Sequence, residues 1–143
     1  MLVGAIGCGK TTFRQRIQNK ELIYSKTQVT NFEGDFIDTP GEYLEHGHFN
    51  RALLLASYEA DLILLMESST AHESKYRPGF ATLFPKPVLG LVTKVDIADT
   101  SGIVRAKAML ELAGVFQHFE ISSFTGEGFD FLIPHLDRSR CCS

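Results

Sequence analysis

The 143-residue chain has no tryptophan, only three cysteines and no apolar run long enough to cross a bilayer. Three cysteines cannot supply a disulfide framework, so we expect reduced thiols. Lysine and arginine number 14 against 17 for aspartate and glutamate, which leaves a net charge of −3 at pH 7. Because there is no basic excess and no polybasic run, the composition argues against nucleic acid or an anionic membrane as a partner.

Internal repeats, low-complexity segments and long linkers are also missing, and no charged region followed by an apolar one opens the chain. We therefore expect one cytoplasmic domain covering residues 1–143. Hydrophobic residues make up 44% of the chain, which is enough for that domain to bury its own core. Cys141 and Cys142 do not fit a C-terminal prenylation motif, so we expect an ordinary tail there.

What the chain does contain is a glycine-rich stretch, Gly4–Thr11, that fits the pattern G-x-x-x-x-G-K-[ST]. An apolar run enters this stretch and a helical pattern leaves it, as a phosphate-binding loop requires. Glycines permit positive φ and bring backbone N–H groups close to phosphate oxygens, and the helix N-terminus adds a positive dipole end. Lys10 is expected to act catalytically by reaching the β- and γ-phosphates, and the Thr11 hydroxyl to bind Mg²⁺. A plain glycine-rich turn, the alternative, does not require the Lys-Thr pair.

A second motif, Asp38-Thr39-Pro40-Gly41-Glu42, closes a short apolar strand. Its spacing matches the segment of G proteins in which a carboxylate reaches Mg²⁺ through water and a glycine N–H registers the γ-phosphate. We expect Asp38 and Gly41 to take these two roles. Thr27 is the candidate for a second hydroxyl on Mg²⁺; a threonine that only starts a strand is the alternative.

A third motif, Thr93-Lys94-Val95-Asp96, follows an apolar strand and is expected to decide nucleotide identity. The Asp96 carboxylate can accept from guanine N1–H and the 2-amino group, an arrangement that adenine cannot satisfy. The Lys94 stem would lie along the base plane. The backbone of Ser122 and Ser123 could donate to guanine O6.

Together the motifs predict a site for Mg²⁺ and a purine nucleotide, GTP or else ATP. The nucleotide-binding candidates are Gly4, Gly7, Cys8, Gly9, Lys10, Thr11, Thr12, Thr27, Gly41, Thr93, Lys94, Asp96, Ser122 and Ser123, and the metal ligands are Thr11, Thr27 and Asp38. Cys8 is also a candidate oxidisable thiol, because a helix N-terminus lowers a thiol pKa; an inert loop residue is the alternative.

The hydrophobic patterning indicates an α/β fold. We predict a small G-protein-like P-loop domain with a mostly parallel six-stranded sheet, helices on both faces and nucleotide at the carboxyl ends of the strands. A hairpin at 29–38 would add one antiparallel strand at an edge. Strands are expected at 1–3, 29–32, 36–38, 61–66, 87–92 and 116–121, and helices at 11–19, 49–60, 80–84, 101–113 and 129–136. Pro134 predicts a kink or an early end for the last helix.

In order, the phosphate loop, Thr27, residues 38–41, residues 93–96 and Ser122-Ser123 resemble the five G boxes of Ras-like and translation-factor-related small GTPases. Residues 26–28 and 38–43 resemble more closely the EutP/PduV family of small P-loop proteins from ethanolamine- and propanediol-utilisation operons. That resemblance implies a bacterial cytoplasmic protein attached to a catabolic microcompartment. Its partner would be a shell protein or an enzyme of that compartment, bound at the switch surface.

Three residues bear on how this chain departs from Ras-like enzymes. Thr93 stands where their base motif has Asn, which would remove one amide contact to the base and one tie to the phosphate loop, although Asp96 still favours guanine. Glu42 replaces the glutamine that orients the attacking water, and an ionised carboxylate is unfavourable beside the γ-phosphate. We therefore expect slow hydrolysis. Ile6 would fill the approach of an arginine finger in trans; simple loop packing is the alternative.

Three functions are compatible with these residues. A switch would be ordered by GTP and Mg²⁺ around Thr27 and residues 41–55, with the apolar run 53–55, where exposed, as its partner face and core packing as the alternative for that run. A phosphotransferase would move the γ-phosphate of ATP or GTP to a small carboxylate such as acetate, with Glu42 as an acceptor-site base. A non-enzymatic docking module would bind nucleotide only structurally.

Overall fold

The computed structural model describes residues 1–25 and 50–141, in which strands and helices alternate. The strands are β1 (Leu2–Gly4), β2 (Ile63–Ser68), β3 (Val88–Thr93) and β4 (His118–Glu120). The helices are α1 (Lys10–Ser25), α2 (Asn50–Ser57), α3 (Thr100–Leu112) and α4 (Phe129–Cys141), with a 3₁₀ helix at Phe80–Leu83. In these two ranges, no helix combines the length and apolarity needed to cross a bilayer.

The four strands form one parallel sheet in the order β1-β2-β3-β4. Gly4 pairs with Met66 and Ser68 pairs with Thr93, so the carboxyl ends of β1, β2 and β3 lie at one edge. The predicted α/β class with a parallel sheet is confirmed. The hairpin predicted at 29–38 lies outside the described residues, so the strand number of six stays a prediction.

Alternate residues of the strands enter two separate cores, as the period of two in a strand requires. Leu2 and Leu64 pack with α1 and α4, whereas Val3 and Leu65 pack with α2, α3 and the 3₁₀ helix. The prediction of helices on both faces is therefore confirmed. On the first face, the rings of Phe13 in α1 and Phe129 in α4 stack with centroids 5.6 Å apart, which joins the helix that follows the phosphate loop to the last helix.

Helix α3 begins at a capping aspartate and ends at Gly114, and only the stop at Gly114 was predicted from the sequence. The Asp99 carboxylate accepts from the Gly102 N–H at 2.8 Å, an N-cap bond that satisfies one of the free amides of the first turn. At the other end Gly114 has φ +99°, and the Val115 N–H donates to the Leu110 carbonyl at 2.9 Å. This is a Schellman stop, which requires a residue at ease with positive φ.

Several predicted boundaries are wrong. Helix α1 continues to Ser25 instead of ending near residue 19, because the residues that follow include good helix formers and no glycine or proline. Strand β2 lies at 63–68 instead of 61–66, since pairing with β1 and β3 extends it into polar residues. Helix α4 passes through Pro134 to Cys141, so the early end is wrong: the buried Leu132 and Leu136 anchor the helix on either side of the proline.

Candidate functional site

The loop between β1 and α1 has the backbone geometry of a phosphate cradle. Gly7 and Gly9 have φ +80° and +102°, and the loop is closed by a bond of 3.1 Å from the Cys8 N–H to the Ala5 carbonyl. The amides of Gly7 and Gly9 have no acceptor among the described residues. Free N–H groups at a helix N-terminus are the donors that bind phosphate oxygens.

Two lysine side chains cover this loop. Lys10 Nζ donates to the Gly4 carbonyl at 2.5 Å, and Lys94 Nζ donates to the Gly7 carbonyl at 2.6 Å. Both ammonium groups are therefore held against neutral carbonyls, that of Lys10 at the end of β1 and that of Lys94 within the loop. Phosphate oxygens are stronger acceptors for an ammonium than carbonyls are, so the ammonium of Lys10 can exchange its partner when a triphosphate binds.

Residues 93–96, here called the base motif, are hydrogen-bonded to the phosphate loop. The prediction that Thr93 loses this connection is therefore wrong. Thr93 Oγ1 donates to the Cys8 carbonyl at 2.8 Å, in a position where Thr93 is only 2% exposed. A hydroxyl at the end of β3 is close enough to the loop to replace a longer amide. The other half of the expectation, a lost contact to the base, stays a prediction.

Replacing Thr93 with Val tests this tie, because Val keeps the shape and removes the donor. The Cys8 carbonyl would lose its buried partner, so we expect the free energy of unfolding to fall by about 1–2 kcal/mol. Urea unfolding followed by circular dichroism measures the change. Thr82→Val is the matched control, since Thr82 donates to the Gly79 carbonyl in an exposed position where water can replace it; equal losses in the two variants would contradict the structural role.

The base motif is held from its other side by the loop after β4. Ser122 Oγ donates to Asp96 Oδ1 at 2.8 Å and accepts from the Thr125 N–H at 3.1 Å. Ser122 is buried, whereas Asp96 is exposed. The Asp96 carboxylate is therefore fixed before any ligand binds, with acceptor capacity left for a base edge.

Between the phosphate loop and the base motif lies a cavity of about 310 Å³. Its lining residues are Cys8, Gly9, Thr12, Thr93, Lys94, Asp96, Ile97, Ser123 and Phe124. All except Ile97 and Phe124 were candidates from the sequence. Phe124 is 84% exposed, and a loop aromatic without a core to join was the signal that could have identified it, because purine rings stack on aromatic faces.

Of the predicted metal ligands, only Thr11 lies within the described residues. Thr11 lies in the first turn of α1 with an exposed side chain, so its hydroxyl fits as a hard oxygen ligand for Mg²⁺. Thr27, Asp38, Gly41 and Glu42 lie outside the described residues, and their roles stay predictions. No cluster of three or more potential metal-binding side chains occurs in the described ranges.

The sequence left two alternatives open at Cys8 and at Ile6, and the exposure of the two side chains bears on both. Burial raises the pKa of the Cys8 thiol above its usual value, and the side chain is 4% exposed. The expectation of a lowered pKa at Cys8 is therefore wrong, which argues against an oxidisable thiol. Ile6 is 60% exposed, so packing within the loop does not explain it.

A buried carboxyl at the end of β2 was missed by sequence reasoning. Glu67 is 5% exposed and accepts a hydrogen bond of 3.2 Å from Ser74 Oγ. Burial raises the pKa of Glu67 to about 7, and the Ser74 bond opposes this only in part. Nearby, the Tyr76 hydroxyl lies 2.6 Å from the Met66 carbonyl and 3.1 Å from the Val3 carbonyl, which joins the ends of β1 and β2.

Glu67→Gln should change how stability depends on pH. The folded protein binds the Glu67 proton more tightly than the unfolded chain, so the contribution of Glu67 to the free energy of unfolding is largest below about pH 4.5 and is lost as pH rises through 7. We expect Glu67→Gln to remove about 2 kcal/mol of this fall between pH 5 and pH 8. Urea unfolding of both proteins at a series of pH values measures it.

The difference in the free energy of unfolding between wild type and Glu67→Gln isolates the contribution of Glu67. The α-amino group of Met1, whose pKa is lowered to about 6 by burial, gives an opposite trend in both proteins and cancels. Glu73→Gln, a change at an exposed glutamate, is the matched control and should leave the pH profile unchanged. Parallel pH profiles for wild type and Glu67→Gln would show that Glu67 is ionised in both states at neutral pH.

One family model and two known proteins match this chain over most of its length. Residues 1–138 match the family model PduV-EutP, described as ethanolamine utilisation and propanediol utilisation. Propanediol utilization protein PduV of Citrobacter freundii is 38% identical over 143 residues, which cover 99% of this chain and 95% of that protein. Probable acetate kinase EutP of Escherichia coli strain K12 is 29% identical over 137 residues, which cover 94% and 86%.

The solved structure of translation elongation factor SelB from Methanococcus maripaludis is similar in fold. Both the apo form and the complex with the GTP analogue GppNHp give a TM-score of 0.63 at 22% identity over 96% of this chain. The chain spans about a third of the SelB chain, 33% and 32% in the two structures. At this identity the likeness shows the fold, which is that of small P-loop GTPases.

Proposed function

The chain belongs to the PduV-EutP family of ethanolamine and propanediol utilisation, and from this premise we propose that it binds a purine triphosphate with Mg²⁺ and hydrolyses it slowly. The observation that carries the proposal is the cavity that the phosphate loop and the base motif line together. The bonds from Thr93 to Cys8 and from Lys94 to Gly7 hold its two sides at a fixed separation. A ligand with a phosphate end and a base end fits this arrangement.

At the phosphate end, the chain offers charge and free donors. Lys10 would leave the Gly4 carbonyl for the β- and γ-phosphates, and the amides of Gly7 and Gly9 would donate to phosphate oxygens. Thr11, with Thr27 and Asp38, would hold Mg²⁺, which neutralises phosphate charge when bound. Electrostatic positioning of this kind supplies most of the catalysis in phosphoryl transfer.

At the base end, the groups favour guanine. Asp96 presents acceptors for two adjacent donors, which guanine has and adenine lacks. The Ser122 hydroxyl fixes the carboxylate in place. Ile97 and Phe124 add apolar surface beside the cavity, which a planar base can cover. We therefore propose GTP as the preferred nucleotide and ATP as the competitor.

Slow turnover suits a switch or a docking factor for a microcompartment in the bacterial cytoplasm. Helix α2 supports a partner surface: Leu53 is buried and Leu54 half-buried, as core packing requires, but Leu55 and Tyr58 are 59% and 57% exposed. A shell protein or an enzyme of the compartment would cover these two side chains. In a switch, Lys10→Ala should abolish partner binding; in a docking module that binds nucleotide only structurally, it should not.

Calorimetric titration with GTP and with ATP, each in millimolar Mg²⁺, tests the proposal. We expect both to bind, with GTP tighter. No measurable uptake of either nucleotide would overturn the proposed function. Equal affinities would leave nucleotide binding intact and contradict the role of Asp96.

Transfer of the γ-phosphate to a small carboxylate is the second candidate, and the name of the Escherichia coli relative favours it. In that reaction an acetate oxygen forms a bond to the γ-phosphorus, the bond to the β–γ bridging oxygen breaks, and the nucleoside diphosphate leaves. Labelled γ-phosphate, followed with and without acetate, separates the two reactions. Inorganic phosphate formed without acetate supports hydrolysis, and an acyl phosphate formed only with acetate supports transfer. Binding with neither product would leave a non-enzymatic docking module.

A further inference from the structure

The loop Ser122–Gly128, here called the base loop, is a closed turn that carries two of the residues lining the cavity, Ser123 and Phe124. The Gly126 N–H donates to the Ser122 carbonyl at 2.8 Å, and the Ser122 N–H donates to the Glu127 carbonyl at 3.0 Å. These bonds fix the shape of the base loop. They do not fix its position against the rest of the domain, which depends on contacts to other elements.

One such contact comes from α1. Arg16 Nη2 donates to the Thr125 carbonyl at 3.1 Å, across 109 positions of sequence. The guanidinium lies close against the backbone of the base loop at Gly126, where a Cβ atom would be 3.0 Å from Arg16 Cζ. Gly126 also has φ +86°, a conformation that favours glycine, and a side chain there would displace the guanidinium. The Arg16 Nε–H has no acceptor in the described part of the chain.

From this geometry we infer that Arg16 is a positioning residue for base recognition. The inference rests on the proposed nucleotide-binding function. It names one residue that holds in place the groups contacting the base. Helix α1 starts at the phosphate loop, and Arg16 connects the same helix to the base loop. Helix α1 therefore adds a constraint on the distance between the phosphate cradle and the base loop, beside the bonds from Thr93 to Cys8 and from Ser122 to Asp96.

Two features make the effect specific to the base end. Arg16 lies about one and two-thirds helical turns beyond Lys10, and its side chain donates to the base loop. Thr125 lies between Phe124, which lines the cavity, and Gly126, which packs on the guanidinium. Loss of Arg16 therefore loosens the segment that carries Ser123 and Phe124, which Ser122 still ties to Asp96, and leaves the amides of the phosphate loop in place.

The test compares a ligand that has a base with one that does not. Arg16→Met keeps much of the side-chain length and removes the donors. We expect it to weaken GTP binding about five-fold, the net scale of one hydrogen bond, because the bond from Arg16 is exposed, and to leave the affinity for inorganic tripolyphosphate within about two-fold of wild type. Calorimetric titration of the full chain with each ligand in millimolar Mg²⁺ gives both values. Arg16→Lys, which retains one donor, should recover part of the GTP affinity.

Arg14→Met is the matched control, because it removes the same charge from the same helix two residues away. Its ratio of GTP to tripolyphosphate affinity should equal that of wild type. If Arg16→Met weakens both ligands equally, or neither, Arg16 does not position the base loop and the inference is wrong. If wild type takes up neither ligand, the proposed function is wrong and the inference is lost with it.

Discussion

Lys10→Met should weaken triphosphate binding more than 100-fold and leave the protein folded. In the structure the Lys10 ammonium donates to the Gly4 carbonyl at the entrance of the phosphate loop. A triphosphate brings several negative charges to this point, and the ammonium is the side-chain charge that the loop itself supplies. Losing a charge-assisted contact to phosphate in a partly desolvated site costs about 3 kcal/mol or more, hence the 100-fold estimate. Calorimetric titration with GTP in millimolar Mg²⁺ measures it.

The stability of Lys10→Met should stay within about 1 kcal/mol of wild type, since the bond to Gly4 is a single part-buried contact. Lys86→Met is the matched control: Lys86 precedes β3, at the opposite end of the sheet from the cavity. It removes the same charge and should leave GTP affinity unchanged. Undiminished binding in Lys10→Met, or an equal loss in Lys86→Met, would show that the loop does not grip the phosphates through Lys10.

What could be predicted from the sequence is the part of the site that depends on neighbouring residues. Gly7, Gly9 and Lys10 form the loop because glycine backbone freedom and the start of a helix are local properties. The same is true of the stop of α3 at Gly114. The fold class followed from two apolar runs that only a sheet covered on both faces can bury.

What could not be predicted depends on contacts between distant segments. A hydroxyl at Thr93 reaches Cys8 only because β3 and the phosphate loop meet at one edge of the sheet, 85 positions apart in sequence. Arg16 contacts Thr125 for the same reason. The pKa of Glu67 is raised because the side chain is buried. The sequence does not show this burial, since a polar residue at the end of a strand is ordinarily expected to be exposed. Sequence patterns therefore located most of the residues that line the cavity, and the packing decided how they are held.

The identity of the base should depend on Asp96, so Asp96→Asn is the second prediction with a large expected effect. Guanine offers N1–H and a 2-amino group, both donors, and an amide can accept from only one of them while its NH₂ opposes the other. We expect GTP affinity to fall about 100-fold, the cost of losing one charge-assisted bond and leaving a donor unsatisfied. ATP affinity should change by less than about three-fold, because adenine lacks these donors.

Xanthosine triphosphate makes this test specific. Xanthine carries a carbonyl where guanine carries the 2-amino group, so the amide introduced by Asp96→Asn can donate to the carbonyl and accept from N1–H, and the variant should prefer it over GTP. Asp99→Asn is the matched control: Asn caps a helix as well as Asp does, so α3 and the nucleotide preference should both be retained. Competition of the three nucleotides for one labelled ligand measures the order. A parallel loss for all three would mean that Asp96 supports the cavity through Ser122 and does not contact the base.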